Sequence, residues 1–175
     1  MDFVGANALT IEPGPAEACL RSTPRRSASG LYQRVNIAGD ALRDVRWTWR
    51  VDRLQQAADV RSINTEDVGA MVMFVFGTPS IIHRDVPTLA YVWTATPVAN
   101  GAFLRSQRFG SLVYVQLRGR AEVGRWQQES RNVADDFRVI FDRGPGKLRY
   151  VAVFNDNDHT NEATSALFCP VLVVR

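Results

Sequence analysis

The stretch VRWTWRVD, residues 45–52, alternates large apolar side chains with polar ones. Val45, Trp47, Trp49 and Val51 occupy every second position, and arginine, threonine or aspartate fills the positions between and after them. Successive side chains of a β-strand point to opposite faces of the sheet, so this pattern predicts a strand with one apolar face and one polar face. We therefore expect both tryptophans to lie in the core.

Several other segments have the composition of strands. LYQRVNI (31–37) repeats the alternation, whereas the middle segments are apolar or amphipathic on both faces: VGAMVMFVFG (68–77), TLAYVWTAT (88–96) and GSLVYVQLRG (110–119). Strands of the second kind are typical of central positions in a sheet. The last strands are predicted in KLRYVAVFN (147–155) and ALFCPVLVVR (166–175). Pro170 indicates an edge position or a bulge in the final one, because proline cannot donate to a strand ladder.

Residues 132–142, NVADDFRVIFD, break this pattern, because their apolar side chains recur at the spacing of one helix face. Asn132 suits the N-cap, aspartates follow in the first turn, and the Gly-Pro-Gly sequence at 144–146 ends the helix. Many short strands with one short amphipathic helix predict an all-β fold, a two-sheet antiparallel β-sandwich of jelly-roll type. A parallel sheet would require a helix in nearly every connection.

Length and composition limit the classes of function. With 175 residues, 46% of them hydrophobic, we expect one β-sandwich domain over 1–175, with 1–16 irregular. The 21 basic and 18 acidic residues are dispersed, which disfavours nucleic acid as a partner. No apolar run reaches the roughly 18 to 20 residues of a membrane span, so no membrane association is predicted. The start MDFVGANALT lacks the basic and apolar regions of a signal peptide.

Two cysteines, Cys19 and Cys169, lie near opposite ends of the sequence. They form no metal-binding motif, and we expect free buried thiols rather than a disulfide. The first and last strands of a jelly roll commonly pair, so we also expect the two residues to lie close together.

The polar stretch FNDNDHTNEATSALF, residues 154–168, contains the main candidates for a metal site. Asp156 and Asp158 match the first positions of a calcium-binding loop, but Asn161 and Leu167 stand where that motif needs glycine and glutamate. An EF-hand is therefore excluded, and a looser calcium site at the two aspartates remains an alternative. We favour a connection between strands whose short polar side chains bond the loop backbone, with no cofactor.

Carboxylates near Asp156 and Asp158 also allow a hydrolase of the sandwich glycosidase type. The two residues follow the end of an apolar run, and a third acidic residue is missing from that strand. The sequence therefore favours a binding module over an enzyme, with hydrolysis as the alternative.

A ligand-binding face is predicted on the strands of the middle segments. If Val113, Val115 and Leu117 point into the core, the intervening side chains line the opposite face of the sheet. The candidate ligand-binding residues, including aromatic and arginine side chains from neighbouring strands, are Tyr91, Trp93, Tyr114, Gln116, Arg118 and Arg50. Aromatic rings beside planar hydrogen-bonding groups suit a carbohydrate or another small polar ligand.

The sequence resembles a bacterial family known as domain of unknown function 3047. The blocks that carry the resemblance are W-T-W-R-V (47–51), GRWQQESRNVADDF (124–137) and D-N-D-H-T-N-E (156–162). The resemblance implies a jelly-roll sandwich similar to carbohydrate-binding modules, often exported or periplasmic, and it implies no reaction. His159 and Asn161 stand where the family tends to have asparagine and glycine, and Pro170 and Val171 replace its Asp-Ile pair.

Overall fold

The strands form two sheets in the computed structural model, which describes residues 2–78 and 86–174. The larger sheet has the order β1-β4-β11-β6-β7-β9-β8. Its strands are β1 (Asp2–Val4), β4 (Ala28–Ala38), β6 (Ala70–Phe76), β7 (Thr88–Trp93), β8 (Phe103–Arg105), β9 (Leu112–Arg118) and β11 (Lys147–Asp156). The predicted central strands therefore do lie in the middle of a sheet.

The smaller sheet has the order β10-β5-β12-β3-β2, and β13 also pairs with β5. Its strands are β2 (Ala8–Pro13), β3 (Ala18–Thr23), β5 (Val45–Arg53), β10 (Gln127–Arg131), β12 (Ser165–Phe168) and β13 (Leu172–Val173). The predicted jelly-roll-like β-sandwich is thus confirmed. One pair departs from the antiparallel prediction: β9 returns beside β7 in the parallel direction and forms an antiparallel pair with β8.

The core between the sheets contains the tryptophans of the opening stretch. Trp47 and Trp49 are buried, as predicted, and their rings contact edge to face with centroids 5.8 Å apart. Trp49 reaches Trp93 of the larger sheet at 5.8 Å, and Trp47 reaches Tyr91 at 5.1 Å. Aromatic contacts of this kind add to the free energy gained by burying the rings.

The predicted helix is confirmed as α1 (Val133–Phe141), which covers one end of this core. The side chain of Asn132 accepts a hydrogen bond from the backbone N–H of Asp135 at 3.1 Å, so it caps the helix as expected. Asp142 adopts a left-handed conformation at the C-terminal end, before the Gly-Pro-Gly sequence. No helix among the described residues is long and apolar enough to cross a membrane.

Two local predictions need correction. Residues 1–16 are not irregular throughout, because β1 and β2 lie there and β2 pairs with β3 along its whole length. The final strand is also divided: β12 lies in the middle of the smaller sheet, and Pro170 separates it from β13, which pairs with β5. Proline therefore marks a break between two strands rather than an edge or a bulge within one. The stretch FGTPS (76–80) has the composition of a turn, and this turn prediction falls partly outside the described residues.

Cys19 and Cys169 form a disulfide, with their Cα atoms 4.2 Å apart. The expectation of free thiols is wrong, and the expectation that the residues lie close together is confirmed. The register explains this: Phe168 opposes Leu20 on β3, so the next pair along the two strands is Cys169 and Cys19. Directly opposed residues on antiparallel strands have the spacing that a disulfide requires.

Candidate functional site

A groove lies on the outer face of the larger sheet, the face that points away from the smaller sheet. Its floor is formed by alternate residues of the central strands, including Met71, Met73 and Tyr114, while their neighbours in sequence point into the core. Val68, just before β6, and Leu112, at the start of β9, add to its walls. The groove has a volume of about 370 Å³. The central strands β6, β7 and β9 are mostly buried on both faces, which explains why they are apolar on both.

Glu66 is the polar centre of one end of this groove. Only 6% of the residue is exposed. Its Oε1 accepts hydrogen bonds from the Tyr114 hydroxyl at 2.8 Å and from the Ser106 hydroxyl at 2.5 Å. Burial, and then the charge of Glu66, raises the pKa of the Tyr114 phenol, so this hydroxyl stays a donor.

The other oxygen of Glu66, Oε2, is buried and has no hydrogen-bond donor among the described residues. The nearest cation is Arg108, whose Nε lies 3.7 Å away, beyond hydrogen-bonding distance. A buried carboxylate normally has its oxygens satisfied, because an unpaired polar atom costs free energy. The unsatisfied oxygen therefore marks a place where a ligand atom can donate.

Asp67 fixes the polar loop that follows β11. Its Oδ2 accepts hydrogen bonds from the backbone N–H of Thr160 at 2.7 Å and from the Thr160 hydroxyl at 2.6 Å. Its Oδ1 contacts the backbone N–H of His159 at 3.2 Å and the ring Nδ1 of that residue at 3.3 Å. The side chain of Asn157 in turn donates to the backbone carbonyl of Glu162 at 3.0 Å. The predicted role of the stretch 154–168, a connection whose polar side chains bond the loop backbone, agrees with these contacts.

Asp156, the last residue of β11, lies at the floor of the groove. Its Oδ1 accepts a hydrogen bond from the backbone N–H of Val68 at 2.7 Å. Burial first, and then the nearby charge of Asp67, raises its pKa well above the ordinary value of an aspartate. Asp156 therefore holds a proton more readily than an exposed aspartate does.

Asp156 and Asp158, where calcium binding was predicted, both line the groove. One cluster of possible metal ligands consists of Asp67, Asp158 and His159. Each residue offers one ligand atom, and these atoms lie within 4.8 Å of one another. Both oxygens of Asp67 already accept hydrogen bonds, and the guanidinium of Arg108 donates to the Nε2 of His159 at 2.5 Å. A guanidinium in this position competes with a metal ion, so calcium binding stays a prediction.

The six predicted ligand-binding residues do not share one face. Tyr91 and Trp93 point into the core, where the Tyr91 hydroxyl donates to Asp136 at 2.5 Å and the Trp93 ring donates to the carbonyl of Gly119 at 2.8 Å. Tyr91 opposes Val115 across the β7–β9 pair, so it shares the core-facing side of the sheet. The grouping of these rings with Tyr114 is therefore wrong, since residues on opposite faces cannot meet.

The remaining candidates are also dispersed. Of the six, Tyr114 lines the groove, and Gln116 lies on the same face of the sheet but borders a second cleft of about 420 Å³, together with Thr94 and Glu122. Arg118 pairs with the buried Glu129 at 2.8 Å. Arg50 belongs to the smaller sheet and stacks over the ring of Trp126 at 4.8 Å.

Sequence reasoning missed most of the polar residues of the groove. Glu66 and Asp67 occur directly before the apolar run of β6, and Arg108 lies in the turn between β8 and β9. Two adjacent acidic residues at the start of a buried strand are a weak signal, since charged residues commonly flank strands. A lone histidine in a polar loop, such as His159, is likewise a weak signal.

The fold and the groove define a β-sandwich with a ligand-sized cavity over its larger sheet. The sequence profile of the family described as "Protein of unknown function (DUF3047)" matches residues 6–171, so the chain belongs to that family. No curated protein matches it.

Among solved structures, the family 11 xylanase from Neocallimastix patriciarum is similar, with a TM-score of 0.36 and 12% sequence identity. The similarity covers 93% of this chain and 83% of the xylanase. At this level the similarity carries no conclusion about this chain.

Proposed function

We propose that this protein is a binding module for a small molecule, which occupies the groove on the outer face of the larger sheet. The observation that carries the proposal is the combination of an apolar cavity of about 370 Å³ with a buried, incompletely satisfied carboxylate at Glu66. Ligand sites of proteins are typically cavities of about 300 to 1,000 Å³ with apolar walls and a few polar groups. The groove has both properties.

The walls indicate the shape of the ligand. Met71, Met73 and Leu112 line the groove with no hydrogen-bonding side-chain atoms beyond their weak thioethers. A bare sugar would bury hydroxyl groups against these side chains without partners, which costs free energy. A molecule with an apolar body and a polar head fits better. Such a ligand differs from the bare carbohydrate predicted from the sequence, which stays a prediction.

The compartment follows from the disulfide. A bond between Cys19 and Cys169 persists in oxidising surroundings and is rare in reducing ones. We accordingly propose an exported or periplasmic location.

A groove-filling substitution tests the binding proposal. Val75 lines the groove and is partly buried, so Val75→Trp places an indole ring in the cavity. The neutral dye N-phenylnaphthylamine, which fluoresces in apolar surroundings, should bind the parent protein, and Val75→Trp should weaken binding about tenfold or more. The matched control is Val139→Trp on the outer face of α1, where the valine is 71% exposed.

Binding should be unchanged in the Val139→Trp control. If the dye does not bind the parent, or binds Val75→Trp equally well, the groove is not a ligand site.

Hydrolysis remains the second candidate, because Glu66, Asp156 and Asp158 line the same groove. A cleft with several carboxyl groups, one of them with a raised pKa, is the arrangement that glycoside hydrolysis uses. Against it, Asp156 is bonded to the backbone of Val68. We expect no turnover of a panel of nitrophenyl glycosides. Turnover that is lost in Glu66→Gln and in Asp156→Asn, with the fold intact, would establish an enzyme instead.

A further inference from the structure

We infer that the groove selects ligands with a cationic head group, a primary amine on an apolar body, and that Glu66 is the residue that recognises the amine. This inference rests on the proposed binding function. It adds the chemical class of the ligand.

The first argument is the hydrogen-bonding state of Glu66. Its Oε1 accepts two hydrogen bonds, from Tyr114 and Ser106, while its buried Oε2 accepts none from the described residues. Two hydroxyl donors hold the carboxylate rigidly, so the direction of the second oxygen is fixed. A ligand ammonium offers three N–H donors and a full positive charge, and hydrogen bonds between ions are about twice as strong as neutral ones.

The second argument is the net charge at the end of the groove that contains Glu66. Three carboxylates, those of Glu66, Asp67 and Asp158, lie around it, and the guanidinium of Arg108 approaches Glu66 at 3.7 Å. The Nη2 of Arg108 lies against Nε2 of His159, whose Nδ1 faces Asp67 and Asp158. Negative charge exceeds positive charge among the described residues here. An anionic head group, such as a fatty acid carboxylate, would be repelled, and a cation would be attracted.

The third argument is that Arg108 leaves room for the ligand. Its side chain is 41% exposed. Its Nε lies 3.7 Å from Oε2 of Glu66, and its Nη2 contacts Nε2 of His159. Arg108 therefore offsets only part of the negative charge of the groove, and it does so from the solvent side. Glu66 and Arg108 both line the groove, so a ligand that lies along its apolar walls has its head group beside them.

Three probes with the same apolar chain separate the possibilities: octylamine, octanol and octanoate. Each is titrated against bound N-phenylnaphthylamine at neutral pH, where the amine is cationic. We expect octylamine to bind about tenfold or more tightly than octanol, and octanoate to bind most weakly. In Glu66→Gln the amine should lose this advantage while octanol binds as before, which also shows that the variant is folded. Glu17→Gln, in the exposed turn between β2 and β3, is the matched control and should behave as the parent.

A second variant tests the charge argument without altering a buried residue. Arg108→Gln removes the partial counterion, so the affinity for octylamine should rise and that for octanoate should fall. Equal binding of octanol and octylamine, or an amine preference that survives Glu66→Gln, overturns the inference but leaves the binding function in place. If neither the dye nor any of the three probes binds, the proposed function itself is wrong.

Discussion

Removal of the disulfide should destabilise the protein strongly, because Cys19 and Cys169 close almost the whole chain into one loop. Their sequence separation is 150 residues. On the chain-entropy model, a cross-link of this span lowers the entropy of the unfolded chain enough to stabilise the folded state by about 5 kcal/mol. Small domains are stable by about 5 to 15 kcal/mol in total, so the double variant Cys19→Ala, Cys169→Ala should lose a large part of its free energy of unfolding.

Urea unfolding followed by tryptophan fluorescence measures this loss. The parent protein in dithiothreitol is the control, since reduction opens the loop but keeps both sulfur atoms in the core. The reduced parent and the double variant should both unfold at much lower urea concentrations than the oxidised parent. If the curves of the reduced and oxidised parent coincide, either the cysteines are not bonded or the unfolded chain is already compact, and the entropic reasoning fails.

Three further predictions concern the core and the groove. Trp47→Ala and Trp49→Ala should each lower the free energy of unfolding by about 3 to 5 kcal/mol, measured in urea, and curves that overlay the parent would contradict their burial. Asp156 has a raised pKa in the folded state, so its contribution to stability is lost as the pH rises above about 4. The free energy of unfolding of Asp156→Asn should therefore rise relative to that of the parent between pH 4 and 7. Urea melts across this pH range measure the difference between the two proteins, and a difference that does not change with pH would refute the prediction. Arg118→Met should lower the free energy of unfolding by about 2 to 4 kcal/mol in thermal or urea melts, because it leaves the buried Glu129 without its ion pair. The range allows for the 26% exposure of Arg118, which weakens the pair. An unchanged stability would show that the pair contributes nothing.

Local patterns in the sequence were sufficient for the central strands and the helix, although not for β1 and β2. The alternation around Trp47 and Trp49 identified a strand and its buried face, and the spacing of apolar residues after Asn132 identified the helix. Each of these signals depends on neighbours within about one turn or a few residues of strand. Predictions of this kind were confirmed.

The candidate site depends instead on residues that are distant in sequence. Glu66 bonds Ser106 and Tyr114, which follow it by 40 and 48 positions, and Asp67 holds residues more than 90 positions later. The facing of Tyr91 was mistaken because it depends on the register with β9, which no local pattern specifies. A wrong assignment by one residue reverses the face of every side chain on a strand.

The strand order also determines when the protein can fold during its synthesis. β11 occupies the larger sheet between β4 and β6, and β12 occupies the smaller sheet between β5 and β3. Both strands lie between residues 147 and 168, so neither sheet is continuous before this segment leaves the ribosome. Until then the nascent chain exposes unpaired strand edges, which favour aggregation and binding to chaperones.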